Sequence, residues 1–500
     1  MFKINIGEMM RNRTYLTPDK EGFIGRKRYT FKDMNERMNQ FAHHLQANGV
    51  VEGERIALIC KNHEDFITAF FGAAKLGVIT VAVNCRLEPN ELSYIIENSD
   101  PTMILYDEEF TEKMNQIDIS KEILLTKVGT ASFDEVLRPY EITEPKLISN
   151  NDDTALIIFT SGTTGKPKGA MLTHENLYAT SVGMTKLIDW RLEDRFLSVA
   201  PFFHIGGIAP MITNMHFGCT SILMKDFHPV SVWETIEKEK VTTMMAVPAM
   251  LQLMSQVKDQ VNPDYSSIRN ISVGAAPVPE SLVETYDQFG IALQQVYGIT
   301  EYSGAVAFWV NTMGKDTVSS AGKMVFHGEV KIVDPETKEE LGVNEVGELV
   351  ISGPQVFKGY WRNEKETHEV LKGNNYFTED IGKIDENGFV YVLDRLKDMI
   401  ISGGENIYTT ELEFLIQSHP SVVEVSVVGI PDDKWGEIPK AFIVATEGSN
   451  LTEEVIINLC KESLASYKAV KEVEFIDELP RNGAGKVMKP ALIKRHSVQS

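Results

Sequence analysis

From Phe31 to Asn48 (FKDMNERMNQFAHHLQAN) apolar residues return every three or four positions, the spacing of one helix face, and the run stops at Gly49. Arg55–Cys60 (RIALIC) is a short continuous apolar run and reads as a buried strand. Phe66–Leu76 predicts a helix, Val78–Val83 a strand, Glu91–Asn98 a helix and Met103–Tyr106 a strand. Strands alternating with helices predict parallel layers. The texture recurs with strands at 155–159, 195–201, 220–225, 242–248 and 271–277, and a helix over Ser231–Glu239. From about 318 it changes. The runs 329–334, 347–352 and 389–394 are short and separated by Gly, Asn and Asp, which predicts antiparallel strands. The last hundred residues read α+β: helices at 410–418 and 453–465, strands at 423–428, 441–446 and 473–477. The expected class is therefore α/β: layered α/β subdomains and a small β subdomain over 1–396, then a small α+β domain over 397–500.

Composition narrows the function. Five hundred residues is several times the usual ~150 of one domain, so more than one unit is expected. Lys and Arg number 49 against 71 Asp and Glu, a net charge of −22. Such a chain has no net attraction for nucleic acid or anionic lipid, so nucleic acid is excluded as partner and membrane contact is at most peripheral. Cys60, Cys85, Cys219 and Cys460 lie far apart, without the spacing of a disulfide framework or zinc site. The run Phe66–Val83 contains Lys75 and reads as helix then strand, not a membrane span. The N-terminal residues lack the apolar core of a signal peptide, so a cytoplasmic location is expected. A homodimer is compatible with the sequence, although no apolar stripe establishes one.

One motif carries chemistry. Directly after the strand ALIIF comes TSGTTGKPKG, residues 160–169. Glycines permit unusual backbone angles, and hydroxyls with backbone N–H groups can ring an anion. Lys166 and Lys168 add positive charge. The glycine spacing is not that of the Walker loop, and no G-x-G-x-x-G after a strand, H-E-x-x-H or G-x-S-x-G occurs. A plain turn would not be built from Gly, Ser, Thr, Lys and Pro alone behind a buried strand. Polyphosphate binding is the reading.

This loop resembles the phosphate-loop signature of the acyl-adenylate-forming (AMP-binding) superfamily, and six more motifs follow in that family's order. They are APFFH (200–204), GAAP (274–277), YGITE (297–301), YFTEDIG (376–382), DRLKDMIISGGENI (394–407) and PRNGAGK (480–486). Within the superfamily the chain is most similar to bacterial fatty-acyl-CoA synthetases. The resemblance implies ATP, Mg²⁺ and coenzyme A as cosubstrates and cofactor. It implies phosphate contacts from Thr160, Ser161, Gly162, Thr163, Thr164, Gly165 and Lys166, with Thr300 on the α-phosphate and Glu301 on magnesium. Gly274, Ala275, Ala276 and Pro277 would border the adenine, Tyr297 would stack on it with Gly298 beside the nucleotide, and Asp380 with Arg395 would hold the ribose. Lys486 would bridge the incoming carboxylate and the α-phosphate, a role that suits a compact ammonium on a long stem. Lys397 stands at the family's hinge, about which a mobile C-terminal domain would turn. Gly403 and Gly404 would then open a path for the CoA pantetheine. The family's Thr-Gly-Asp reads Thr378-Glu379-Asp380 here, which puts the backbone at Glu379 in question.

The acid can be bounded. The segments expected to line its pocket, 203–208, 246–251, 274–276 and 300–309, contain no Lys or Arg. A second carboxylate there would be buried unpaired, which argues against dicarboxylic acids. Ile205 stands where amino-acid-activating relatives carry Asp, which argues against amino acids. Phe203, Ile205, Gly206, Gly207 and Met250 are the expected pocket residues, with His204 as gate or orienter. The expected reaction is adenylation of a medium- or long-chain fatty acid followed by transfer to CoA. An aryl or cinnamate-type acid, or a different acyl acceptor, is the alternative.

Overall fold

The computed structural model describes residues 4–117, 119, 123–148, 150–160, 166–481 and 487–499. They form two compact units, Met1–Val330 with Ile351–Tyr376, and Lys331–Val350 with Phe377–Ser500.

The first unit holds two large sheets. One has nine strands in the order Lys323–Met324, Gly304–Trp309, Ala292–Ile299, Asn270–Gly274, Thr243–Ala246, Arg195–Ser198, Thr220–Leu223, Glu21–Ile24 and Arg28–Thr30. The six from Ala292–Ile299 to Glu21–Ile24 run parallel, and antiparallel strands close both ends. The other has seven strands, parallel from Thr154–Thr160 through Ile79–Ala82, Arg55–Ile59 and Met103–Asp107 to Leu124–Val128. All four residues of Ile79–Ala82 are buried, as a strand covered on both faces requires.

The helix Glu64–Lys75 starts two residues earlier than the apolar pattern suggests, and all twelve of its residues are buried. The early start has an electrostatic reason. The His63 side chain accepts from the Asp65 N–H, and Arg26 pairs with Glu64 at 2.7 Å and Asp65 at 2.8 Å. These charges sit at the helix N-terminus, where the macrodipole favours acids. At the other end the fully buried Lys75 ammonium donates to Asn35 Oδ1 (2.7 Å), Asn39 Oδ1 (2.5 Å) and Glu144 Oε2 (2.8 Å). The expected buried helix thus carries three charges that only tertiary partners make tolerable.

The second unit is antiparallel in its first part. Asn375–Ile384 pairs with Val390–Arg395, and Asp380 stands opposite Arg395. Its C-terminal part is built on a long hairpin, Val422–Asp432 against Gly436–Ala445, with the helices Thr409–Gln417 and Glu453–Ser463 packed over it. The sequence pattern ends the first of these strands four residues early and begins the second five residues late; the turn between Asp432 and Gly436 lets both run ten residues or more. Residues 377–396 group with the residues after 397, not with the first 330. One local cause is visible: Asp394 accepts from the Thr409 N–H and hydroxyl and so caps the helix Thr409–Gln417.

Candidate active site

Because Arg195–Ser198, Thr243–Ala246, Asn270–Gly274 and Ala292–Ile299 are parallel, their carboxyl ends share one edge. Ligands of open parallel sheets bind beyond that edge. The segments that leave it are 199–207, 247–250, 275–277 and 300–303, so the fold gathers the candidate adenine, α-phosphate, magnesium and acyl residues of the first unit.

Glu301 sits in the single turn Thr300–Tyr302, closed by Ser303 in the left-handed region (φ 57°). Its backbone carbonyl accepts from Phe357 N at 2.9 Å. Its carboxylate is only 9% exposed, and two hydroxyls converge on Oε1, Tyr360 at 2.9 Å and Thr160 at 3.4 Å. Among the described residues no Lys or Arg comes within ion-pair distance of it. Thr160 is the last residue of Thr154–Thr160, in register with Lys168 across an antiparallel pair. The strands therefore deliver the entry to the phosphate loop beside the Glu301 carboxylate. Ser161, Gly162, Thr163, Thr164 and Gly165 lie outside the described residues, as does Lys486.

The two lysines of the loop differ. Lys168 pairs with Glu366, so its charge is neutralised locally. Lys166 is exposed and lies over the Tyr94 ring, 5.6 Å from its centroid. Of the two, Lys168 alone has an ion pair among the described residues.

Gly274 ends its strand in register with Val296, and a Cβ there would lie 2.3 Å from the Val296 carbonyl oxygen. Ala275 follows with φ 68°, a left-handed conformation that a residue with a Cβ adopts at a cost of roughly 1 kcal/mol. Ala275, Ala276 and Pro277 are exposed beyond the sheet edge. Tyr297 and Gly298 straddle a register shift against Gly304–Trp309, a bulge that re-aims side chains. A Cβ on Gly298 would meet the Gly304 carbonyl oxygen at 2.6 Å.

His204 is the N-cap residue of the helix Ile205–Phe217. Burial, with Arg86 as a lesser cause, pushes its pKa down to about 4, so the ring is neutral near pH 7. Phe203 packs against the His204 ring at 4.9 Å, and the Arg86 guanidinium lies 5.7 Å from the Phe203 ring. The candidate pocket side chains point into different clusters. Phe203 joins the core over the seven-stranded sheet, Ile205 joins the largest core, and Met250 packs with the core behind the other sheet. Gly207 is required by contact, since a Cβ would lie 2.2 Å from the Pro201 carbonyl oxygen. Gly206 is open, with only Met245 Cε near, at 3.7 Å.

In the second unit Asp380 is buried and pairs with Arg395 Nε at 3.0 Å. Glu379, at the glycine position of the family pattern, adopts φ 58°. Its N–H donates to Glu348 Oε1 at 3.1 Å and its carbonyl accepts from Leu396 N at 2.8 Å, so the glycine-like backbone is kept despite the side chain. Lys397 is exposed. Gly403 and Gly404 form the two-residue loop between Ile400–Ser402 and Glu405–Ile407, with φ 61° and 88°. Two positive φ values in a two-residue hairpin loop demand this pair. A Cβ on Gly403 would meet the Trp435 ring at 2.8 Å, whereas one on Gly404 would meet nothing within 4 Å.

Four residues escaped sequence reasoning. Tyr360 reaches Glu301 from a strand 59 residues away. Asn62 holds the 198–202 loop, donating to the Ser198 and Ala200 carbonyls and accepting from Phe202 N at 2.8 Å. Glu366 neutralises Lys168, and Arg86 brings a cation beside Phe203. None lies in a recognisable motif; each is supplied by chain distant in sequence.

The AMP-binding enzyme family matches residues 10–361, and the AMP-binding enzyme C-terminal domain matches residues 411–486. A protein named putative acyl–CoA ligase of Bacillus subtilis is 38% identical over 471 residues, 93% of each chain. A long-chain-fatty-acid–CoA ligase of Mycobacterium tuberculosis is 36% identical over 500 residues, 99% of each chain. The solved fatty acyl CoA synthetase of Mycobacterium tuberculosis superposes with a TM-score of 0.80 at 34% identity, covering 99% of each chain. A 2-succinylbenzoate–CoA ligase of Bacillus mycoides (34%, 97% and 98% covered) and a feruloyl-CoA synthase of Amycolatopsis (35%, 93% and 94% covered) are also similar. Among the described residues no helix is long and apolar enough to cross a membrane. The chain belongs to the AMP-binding enzyme family, among its acyl–CoA ligases.

Proposed function

We propose that the chain activates a medium- or long-chain fatty acid, joining it to AMP with release of pyrophosphate and then passing the acyl group to coenzyme A. The observation that carries the acid class is the neutral carboxyl edge around Ile205, Gly206, Met245 and Met250. Gly206 leaves space there and the segments 203–208 and 246–251 contain no Lys or Arg, so the Arg86 guanidinium beside Phe203 is the cation that a second carboxylate would have to reach.

The obstacle to adenylation is repulsion between a carboxylate and a polyphosphate, so positive charge must converge where the two meet. A divalent cation fits Glu301. Among the described residues this buried carboxylate is supported by hydroxyls and by no Lys or Arg, which leaves a hard anion suited to a divalent cation. Bound there, magnesium would screen the phosphate oxygens. Thr160 to Lys166 hold the β- and γ-phosphates, Thr300 bonds the α-phosphate, and Gly274–Pro277 with Tyr297 and Gly298 take the adenine. Asp380 and Arg395 take the ribose. Lys486 neutralises the approaching carboxylate. His204, neutral at working pH, orients the acid without drawing its charge away from the α-phosphate. The C-terminal domain turns about Lys397 between the two steps, and the open face of Gly404 leaves room for pantetheine.

The test is pyrophosphate release with Mg-ATP over acetate, octanoate, palmitate, ferulate and succinylbenzoate, with and without CoA. Release with octanoate or palmitate that becomes multiple-turnover only with CoA is expected. Release confined to ferulate or succinylbenzoate would overturn the acid class and keep the chemistry. Absence of release with every acid tested would overturn the ligase reading.

A further inference from the structure

A buried chain of polar contacts joins residues on both sides of Lys397. Asp394 ends the strand Val390–Arg395, before that position, and Thr409 opens the helix Thr409–Gln417, after it. Asp394 Oδ2 accepts from Thr409 N at 2.5 Å and from its hydroxyl at 2.8 Å. The same hydroxyl accepts from Lys489 Nζ at 2.6 Å. Lys489 also pairs with Glu413 Oε1 at 3.0 Å, and that oxygen accepts from Val427 N at 2.8 Å. Donors and acceptors alternate consistently: ammonium to hydroxyl, hydroxyl to carboxylate. Asp394 is 7% exposed and Thr409 fully buried, so little water competes. Asp394 Oδ1 meanwhile accepts from the N–H of Arg395, the partner of Asp380.

We propose that Asp394, Thr409 and Lys489 form a clasp across the hinge that sets how the enzyme divides itself between adenylation and thioester formation, with Asp394 and Thr409 as positioning residues. The proposal rests on the acyl–CoA ligase reading with its turn at Lys397. Rotation at that residue moves everything after it relative to everything before it. Asp394 and Thr409 lie on opposite sides and are held in one compact unit in this pose, so their bonds favour it over a pose in which rotation at Lys397 has drawn the two residues apart. A doubly bonded buried carboxylate therefore weighs on one pose alone. If Asp394 were only a remote cap for the helix, its loss would weaken the fold and slow both half-reactions alike.

The experiment measures the half-reactions separately on the full chain. Adenylation is read as acid-dependent exchange of pyrophosphate into ATP. Thioester formation is read in a single turnover from supplied acyl-AMP and CoA. Asp394→Asn and Thr409→Val are expected to change the ratio of the two rates by about tenfold in the same direction, the worth of a hydrogen bond to a charged group. One rate falls and the other does not. Thr409→Ser, which keeps the hydroxyl, is expected to restore the wild-type ratio. Should Asp394→Asn not fold, Thr409→Val and Thr409→Ser decide the matter alone. Equal loss of both rates, or an unchanged ratio, overturns the clasp. A wild-type chain that performs neither half-reaction overturns the ligase reading, and the clasp with it.

Discussion

Replacing Tyr360 by phenylalanine removes one oxygen and leaves the ring, which packs edge-on to Phe357 at 4.9 Å and carries Lys168 over its face at 5.4 Å. The oxygen is the closer of the two donors on Glu301 Oε1, at 2.9 Å against 3.4 Å for Thr160. A hydrogen bond to a buried carboxylate is worth about 1.5–3 kcal/mol, because the charged acceptor has little water to fall back on. At about 1.4 kcal/mol per factor of ten, Tyr360→Phe should cost adenylation ten- to a hundredfold in kcat/KM for Mg-ATP. Little of that should appear in the KM of the acid, since the lost oxygen bonds Glu301, the candidate magnesium residue. The assay is pyrophosphate exchange at saturating acid and varied Mg-ATP, beside Glu301→Gln as reference. Thermal unfolding should fall by only a few degrees, since one buried bond is lost while the ring contacts remain. Wild-type exchange by Tyr360→Phe alongside an inactive Glu301→Gln would refute the reasoning. It would mean that the Tyr360 bond is dispensable once Glu301 meets its ligand.

Gly298→Ala places a Cβ 2.6 Å from the Gly304 carbonyl oxygen, and the displaced bulge should cost adenylation about a hundredfold while circular dichroism is unchanged. Glu379→Gly relieves a left-handed backbone worth about 1 kcal/mol, so the midpoint of thermal unfolding should rise by about 2 °C. Lys75→Met strands the Glu144 carboxylate and two amide oxygens, and should lower that midpoint by several degrees, the cost of breaking a buried pair being about 3 kcal/mol. His174 and His204 both have pKa values pushed down by burial to about 4, so between their ordinary 6.5 and 4 the unfolded chain takes up protons that the fold refuses. Stability should fall as pH drops through that window and be flat above it. A His174→Gln variant should show a shallower fall in unfolding midpoints recorded from pH 7 to pH 5.

Parallel strands buried on both faces write themselves into sequence as unbroken apolar runs, which is why Arg55–Ile59 and Ile79–Ala82 were legible. The antiparallel closures were not. Lys323–Met324 is too short to show any period, and Gly304–Trp309, though a continuous apolar run, opens on a glycine directly behind the YGITE motif with no turn signal to set it apart. The helix Ile205–Phe217 was hidden for a different reason. Two glycines and Pro210 depress its propensity, yet ten of its residues are buried, and packing decides what propensity opposes. The family resemblance offered Glu301, Thr300, Gly274 and Asp380 as candidates, because its motifs carry fixed residue types at fixed spacing. They could not give Tyr360, Asn62, Arg86 or Glu366, whose side chains arrive from remote segments and whose types alone imply nothing.

Backbone strain separates function from packing more sharply than burial does. Among the described residues nine other than glycine have positive φ. Asp100, Lys240 and Asn262 each end a helix, where a left-handed residue satisfies orphan carbonyls. Lys338, Asn344 and Arg362 lie in solvent-facing turns. The remaining three, Ala275, Ser303 and Glu379, fall beside the candidate adenine, magnesium and ribose residues. A β-carbon in that conformation costs roughly 1 kcal/mol wherever it occurs, and a helix end or a turn explains six of the nine. For the last three, the compensation is the placement of the next group: Ser303 fixes the turn that presents Glu301, and Glu379 delivers Asp380 to Arg395. Glu379 makes the point strongest, since a glycine would adopt the same angles without cost. The geometry at that position is therefore imposed by its neighbours Glu348 and Leu396, and not by the residue that occupies it.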